Sequence, residues 1–139
     1  MSKKAYLDNS SATRAHPQVM EAMQPYFSIA YGNPASLHDW GDKASEAIEQ
    51  ARTQVASLLN GQAEEIIFTS CGTEANNLAM KGLALANQSR GKHIIVSSIE
   101  HFSVLHPAHT LQKWGFEVTL LPVDKLGLAN PDVVRGSLR

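Results

Sequence analysis

The stretch that most constrains this chain is Glu64 to Leu78, EEIIFTSCGTEANNL. It opens with a short apolar run, Ile66-Ile67-Phe68, whose length and make-up suit a buried parallel strand. The pattern breaks at Ser70-Cys71-Gly72 and restarts as a helix at Thr73-Glu74, with Thr73 as the expected N-cap. From Ala75 to Leu85 apolar residues recur at helical spacing. A strand that turns through glycine into a helix N-terminus presents free backbone N–H groups and the positive end of the helix dipole. That is an anion site, and the hydroxyls of Ser70 and Thr73 add donors to it. An ordinary βα turn carries the same residue types. The stretch alone therefore leaves phosphate binding and simple capping both open.

The elements on either side say what kind of sheet this turn belongs to. Upstream, Ala5-Tyr6-Leu7 reads as extended, and the run Asp8 to Thr13 reads as a loop because its side chains hydrogen-bond their own backbone. Pro17 opens a helix with Val19, Met20, Met23 and Phe27 on one face. Tyr31 to Ser36, YGNPAS, is a tight turn. Ser36 is the expected cap of a long helix whose buried stripe is Ala44, Ala47, Ile48, Ala51, Val55, Leu58 and Leu59. That helix stops at Asn60-Gly61. Downstream, the helix from Glu74 runs to about Arg90, His93 to Ser98 is a strand and Ser103 to Trp114 a helix. Phe116 to Leu121 is a third strand, and Pro131 to Leu138 starts another helix. The order from Glu64 onward is β-α-β-α-β-α, which predicts an α/β fold with a parallel sheet.

Composition narrows the partners. In 139 residues, 43% are hydrophobic and 18% charged, as in a globular domain with a real core. The net charge is −1 with basic residues scattered, so neither nucleic acid nor a membrane surface is an expected partner. No segment reaches transmembrane length, and MSKKAYLDN has no apolar run behind its basic residues. One cysteine makes no disulfide framework, and a cytoplasmic location is the default expectation.

In parallel sheets, ligands sit beyond the carboxyl ends of the strands. Two places qualify: Cys71-Gly72-Thr73 and Ile99-Glu100-His101. A histidine in the second place can stack on a planar ligand or move protons, or it merely starts the next helix. A metal site is not expected. The spacing of His101 and His106 does not stack on one helix face, and Pro107 lies between His106 and His109. Cys71 reads as a small filler, although a helix N-terminus can lower a thiol pKa. G-x-G-x-x-G is absent, and Gly91-Lys92-His93 lacks the context of a P-loop.

Five segments in order, YLDNSSATRAHP, YGNPASLHDWG, EEIIFTSCGTEANNLAMKG, GKHIIVSSIEHFSVL and GFEVTLLPVDKLG, resemble the amino-terminal part of a cysteine desulfurase. These are the NifS/IscS-type enzymes of the class V aminotransferase group, and the similarity covers nearly the whole chain. The resemblance implies pyridoxal 5′-phosphate as cofactor and part of the fold type I large domain, over residues 16–139, behind an N-terminal arm, 1–15. It implies that Gly72, Thr73 and Glu74 hold the cofactor phosphate. It also implies that His101 lies against the pyridine ring, with a catalytic part in proton transfer. Asn33, Ser36 and His38, with the loop from Asp8 to Thr13, are implied to shape the substrate side, and Asn77 to be positional. Ala12 departs from the threonine usual there.

The implied reaction takes L-cysteine to L-alanine and passes sulfur to an iron–sulfur scaffold. The implied partners are a second copy of the chain or a complementing chain. The family's Schiff-base lysine, pyridine-pairing aspartate and sulfur-accepting cysteine match nothing in these residues; Lys81, Lys92, Lys113 and Cys71 fall outside those motifs. The chain alone is thus expected to be inactive and to hold the cofactor weakly. The alternative is a non-catalytic remnant that binds a phosphate-bearing ligand or docks on a complete desulfurase. The resemblance also implies that Ile66–Ser70 and His93–Ser98 are separated by strands that come later in a complete sheet.

Overall fold

A computed structural model describes residues 4–139. The chain forms two compact units, one ending at Ile67 and the other spanning Phe68–Arg139.

In the first unit, helix α1 (Pro17–Met23) has Pro17 at its first turn and His16 as its cap, Nδ1 accepting from the Gln18 N–H at 3.3 Å. The helix expected to reach Phe27 stops earlier. Gln24–Phe27 is a 3-10 turn, because Pro25 has no N–H to continue the α ladder. The long helix α2 (Asp39–Leu59) is capped by His38 rather than by Ser36, with Nδ1 accepting from the Gly41 N–H at 3.2 Å. The Ser36 N–H is instead turned back on the Asn33 carbonyl, 2.9 Å away.

Asn60 ends α2 in the left-handed region, at φ 55°, and the Gly61 N–H bonds the Ala56 carbonyl, which closes the last turn. The stripe expected on α2 is only partly buried. Ala44, Ala47, Ala51 and Val55 are half-buried, whereas Leu58 stays 84% exposed and Leu59 is also exposed. Gly41 and Ala56 are the buried residues of the helix. A short 3-10 turn (Ala63–Glu65) follows, and Arg52 of α2 pairs with Glu49 and donates to the Ile66 carbonyl.

The expected first strand does not form. Ile66 to Thr69 belongs to no strand, and Ile67 is 68% exposed. A strand exists only through a neighbour's ladder, and among the described residues the sheet has two strands, both later in the chain.

The second unit has the expected alternation from there on. Helix α3 (Gly72–Ala86) is followed by β1 (His93–Ser97), α4 (Phe102–Lys113), β2 (Glu117–Leu121) and α5 (Pro131–Ser137). The fold is α/β, with β1 and β2 parallel and in register from His93 opposite Glu117 to Ser97 opposite Leu121. Helix α3 ends four residues before the expected Arg90. The side chain and the N–H of Asn87 both bond the Leu83 carbonyl, and such local bonding competes with helix propagation.

Helix α4 packs against α3 and against both strands. The core lies beneath α4, where Val96, Pro107, Ala108, Leu111, Phe116 and Leu121 are buried. Gly115, at φ 87°, reverses the chain after α4, with the Phe116 N–H on the Leu111 carbonyl and the Gly115 N–H on the Gln112 carbonyl. This reversal returns the chain directly to β2.

Candidate functional site

Helix α3 begins on an extended Cys71, with φ −166° and ψ 168°, so Thr73 is the second helical residue and not the cap. No side chain caps this helix. By contrast, His16, His38, His101 and Asn130 each accept an N–H at the start of α1, α2, α4 and α5. The N–H groups of Gly72, Thr73 and Glu74 bond no backbone carbonyl; the first that does is that of Ala75, on the Cys71 carbonyl at 3.1 Å. A Cβ built on Gly72 meets nothing within 4 Å, so the space in front of the turn is open.

Glu74 turns away from that space. Its Oε2 accepts from the Ser70 N–H at 2.7 Å and from the Ser70 hydroxyl at 2.6 Å. The third residue of a helix often reaches back in this way to hold the preceding turn. The Ser70 hydroxyl, and then the Ser70 N–H, hold the Glu74 carboxyl below its ordinary range. The turn is braced further by the Thr69 hydroxyl, which donates to the Cys71 carbonyl at 3.1 Å.

Cys71, expected as a filler, is exposed. Its thiol is pulled below the ordinary value by the Glu74 N–H, then by the Ser70 hydroxyl and the Thr73 N–H. Two of the three groups that would stabilise a thiolate are the helix N–H groups themselves, so the turn favours negative charge. These residues fit a phosphate dianion, with N–H donors that bond no carbonyl, a hydroxyl on Thr73 and room beside Gly72. Glu74 has no proton to give and contributes by fixing the turn.

His101 lies at the other place selected beyond the strands, as the N-cap of α4. Its Nδ1 accepts from the Ser103 N–H at 3.1 Å and lies 2.9 Å from the Ser103 hydroxyl. That hydroxyl in turn accepts from Asn76 Nδ2 at 2.8 Å, so α3 and α4 are joined through it. His101 as a whole is exposed. Asn77, the residue read as positional, spends its amide within α3, on the Thr73 carbonyl at 3.0 Å.

Sequence reasoning missed Asn76 and Ser103. The available signal was the phase of Asn76 with Met80 and Ala84 along α3, since a polar residue on a packed stripe needs a partner. His106 stacks on Phe102 with ring centroids 5.3 Å apart, and among the described residues no three His, Cys, Asp or Glu side chains cluster as a metal site.

Asn33, Ser36 and His38 belong to the first unit, where they line one cavity of about 350 Å³ together with Tyr31, Gly32 and Trp40. Asn33 Oδ1 accepts from the Ala35 N–H at 3.0 Å, and His38 meets Trp40 edge-on with centroids 6.2 Å apart. The loop is tight. A Cβ on Gly32 would sit 2.3 Å from the Trp40 carbonyl oxygen, and one on Gly41 would sit 2.1 Å from that of Ser36. Upstream, the Ser11 and Ala12 N–H groups both bond the Asp8 carbonyl, which makes the expected loop a closed turn.

Comparison with known proteins gives these features a context. Residues 5–139 match the family model of class-V aminotransferases. The chain is 47% identical over its whole length to a cysteine desulfurase IscS of Dictyoglomus turgidum, covering 35% of that protein. It is 49% identical over 99% of its length to the corresponding protein of Methanosarcina thermophila, covering 34% of it. Among solved structures, a NifS-like protein superposes with a TM-score of 0.88 at 36% identity, over 94% of this chain and 36% of the other. A structure described as SspA in complex with cysteine superposes with a TM-score of 0.90 at 38% identity, over 98% of this chain and 39% of the other. The chain thus spans about a third of the length of the curated relatives it matches. The chain belongs to the class-V aminotransferases, a pyridoxal-phosphate-dependent family, and shares the fold of these neighbours.

Proposed function

We propose that these residues form the phosphate-binding and histidine-bearing portion of a cysteine desulfurase that takes L-cysteine to L-alanine and passes the sulfur on for iron–sulfur cluster assembly. The observation that carries this reading is the N-terminus of α3, left without a side-chain cap while the turn before it is braced by Glu74. Identity of 47–49% to two cysteine desulfurases supports the choice of substrate. So does the superposition on a neighbour described as complexed with cysteine.

Gly72 and Thr73 hold the cofactor phosphate through backbone N–H groups and the Thr73 hydroxyl, and Glu74 keeps the turn in shape. His101 lies against the pyridine ring and handles a proton there. Asn33, Ser36 and His38 shape the substrate side. The cofactor, when bound, supplies the electron sink for the carbanion at the substrate Cα. The lysine, the aspartate and the sulfur-accepting cysteine come from outside these residues, in cis or from another chain. The 139 residues alone are inactive and bind the cofactor weakly. The working enzyme is cytoplasmic, pairs with a second copy and delivers sulfur to a scaffold protein.

The test is made on the full polypeptide purified from its own cells, loaded with pyridoxal phosphate and given L-cysteine and a thiol reductant. Equimolar alanine and sulfide are expected. A polypeptide that binds the cofactor yet forms no alanine from cysteine refutes the reading.

A further inference from the structure

Ser103 is the buried polar residue of the core, at 7% exposure, and it stands between an asparagine on α3 and the histidine that starts α4. The chemistry of the three groups sets the direction of every proton. The Asn76 Nδ2 has only donors, so Ser103 Oγ accepts from it at 2.8 Å. A hydroxyl has one proton of its own, and the His101 Nδ1 lies 2.9 Å from it. That nitrogen already accepts the Ser103 backbone N–H at 3.1 Å. With both neighbours donating, Nδ1 is the acceptor, and the proton of the neutral ring is on Nε2.

We infer that Ser103 is a positioning residue that fixes His101 in the Nε2–H tautomer through its N–H and its hydroxyl, that Asn76 orients this hydroxyl by donating to it, and that the Nε2 edge of the exposed ring is turned to the ligand side. The functional weight of this inference rests on the role proposed above for His101, but the tautomer itself does not. Asn76 sits one turn into α3, past the open N–H groups, so one helix supplies both the phosphate turn and the group that orients the histidine. A fixed tautomer makes the ring a donor at Nε2, and a proton reaches Nδ1 only if the Ser103 hydroxyl swings away and the ring also leaves the Ser103 N–H. His101 then exchanges protons with a ligand through Nε2 alone.

The experiment reads the tautomer directly, by 15N NMR of the full native polypeptide labelled at histidine, without cofactor. The expected parent spectrum has a protonated Nε2 and an unprotonated Nδ1 at His101, assigned by loss of the signal in a His101→Gln variant. In Asn76→Ala the Ser103 hydroxyl still donates, so the tautomer is unchanged. In Asn76→Asp the carboxylate accepts that hydroxyl proton and leaves the Oγ lone pairs facing Nδ1. Only the Ser103 N–H then holds Nδ1 as an acceptor, and the Nδ1–H population rises above that of Asn76→Ala.

A parent ring protonated at Nδ1, or an Asn76→Asp variant indistinguishable from Asn76→Ala, overturns the inference. In turnover with cysteine, Asn76→Asp is expected to lower kcat about tenfold or more with KM nearly unchanged, since a well-placed proton-transfer group contributes roughly 10²–10⁴-fold. A parent that shows this tautomer pattern but makes no alanine refutes the desulfurase reading alone. An active parent whose tautomer ignores Asn76→Asp refutes the positioning role alone.

Discussion

The unit that ends at Ile67 and the unit Phe68–Arg139 are held together by different means. In the second, side chains do the holding: Leu111 and Pro107 are fully buried, and Val96, Phe116 and Leu121 close around them. In the first, the long helix α2 buries only a glycine and an alanine. There the chain is held by close backbone approaches at Gly32 and Gly41, by histidine caps and by the Arg52 contact to Ile66. The same split runs through two glycine-bearing loops. The loop from Gly32 to Gly41 is closed on itself, whereas the turn at Gly72 is open. Glycine at 32 and 41 makes room for the chain's own backbone, and glycine at 72 leaves room for something else.

The sharpest break of this comparison is by truncation. Leu111→Ala should cost about 2–5 kcal/mol, while Leu58→Ala, at a site 84% exposed, should stay within about 0.5 kcal/mol in urea unfolding of the 139-residue chain. Comparable losses would mean that α2 is packed as tightly as α4.

Added methyls test the loops. Gly41→Ala drives a Cβ to 2.1 Å from a carbonyl oxygen and should destabilise by about 1–3 kcal/mol or more. Gly72→Ala meets open space and should be neutral or slightly stabilising, since alanine favours a helix by up to about 1 kcal/mol over glycine. It should nonetheless weaken pyridoxal phosphate binding, read by titration of the cofactor absorbance.

Removing a cap is smaller still. His38→Ala should cost about 1 kcal/mol of stability and speed amide exchange at Gly41, whose N–H loses its acceptor.

The smallest effects follow pH. Cys71 should be alkylated with a midpoint below the ordinary 9.0, and inorganic phosphate should slow the reaction by competing for the same N–H groups. The Glu74 carboxyl is depressed in the folded state, so its bracing of Ser70 is present above its ordinary 4.5. It is lost as pH falls through the lower folded value. Ser70 amide exchange across that acid range checks the sign.

Much of this could be read from the residues before any coordinates. Helical and strand periods placed α3, β1, α4 and β2 to within a few residues, because each has a packed face that its own spacing records. The break before α3 was legible for the same reason, as a glycine turn between an apolar run and a helix. What failed were features that depend on distant partners. Ile66-Ile67-Phe68 has the composition of a strand, yet a strand needs a neighbour that no local pattern supplies. Leu58 and Leu59 fit the helical period of α2 and remain exposed. The histidine caps of α1 and α2 also escaped notice, since imidazole is not a residue one looks for at an N-cap. The hydrogen bond from Asn76 to Ser103 spans 27 positions and exists only because α3 and α4 pack side by side.

The missing cap on α3 has a consequence for the life of the protein. A ligand that binds the folded turn and not the unfolded chain adds stability by mass action, about 2.7 kcal/mol at a hundredfold excess over Kd. On the function proposed here that ligand is the cofactor, which therefore completes a helix as well as a reaction site. On that function, removing the cofactor is expected to raise the share of unfolded, protease-sensitive molecules by the same factor.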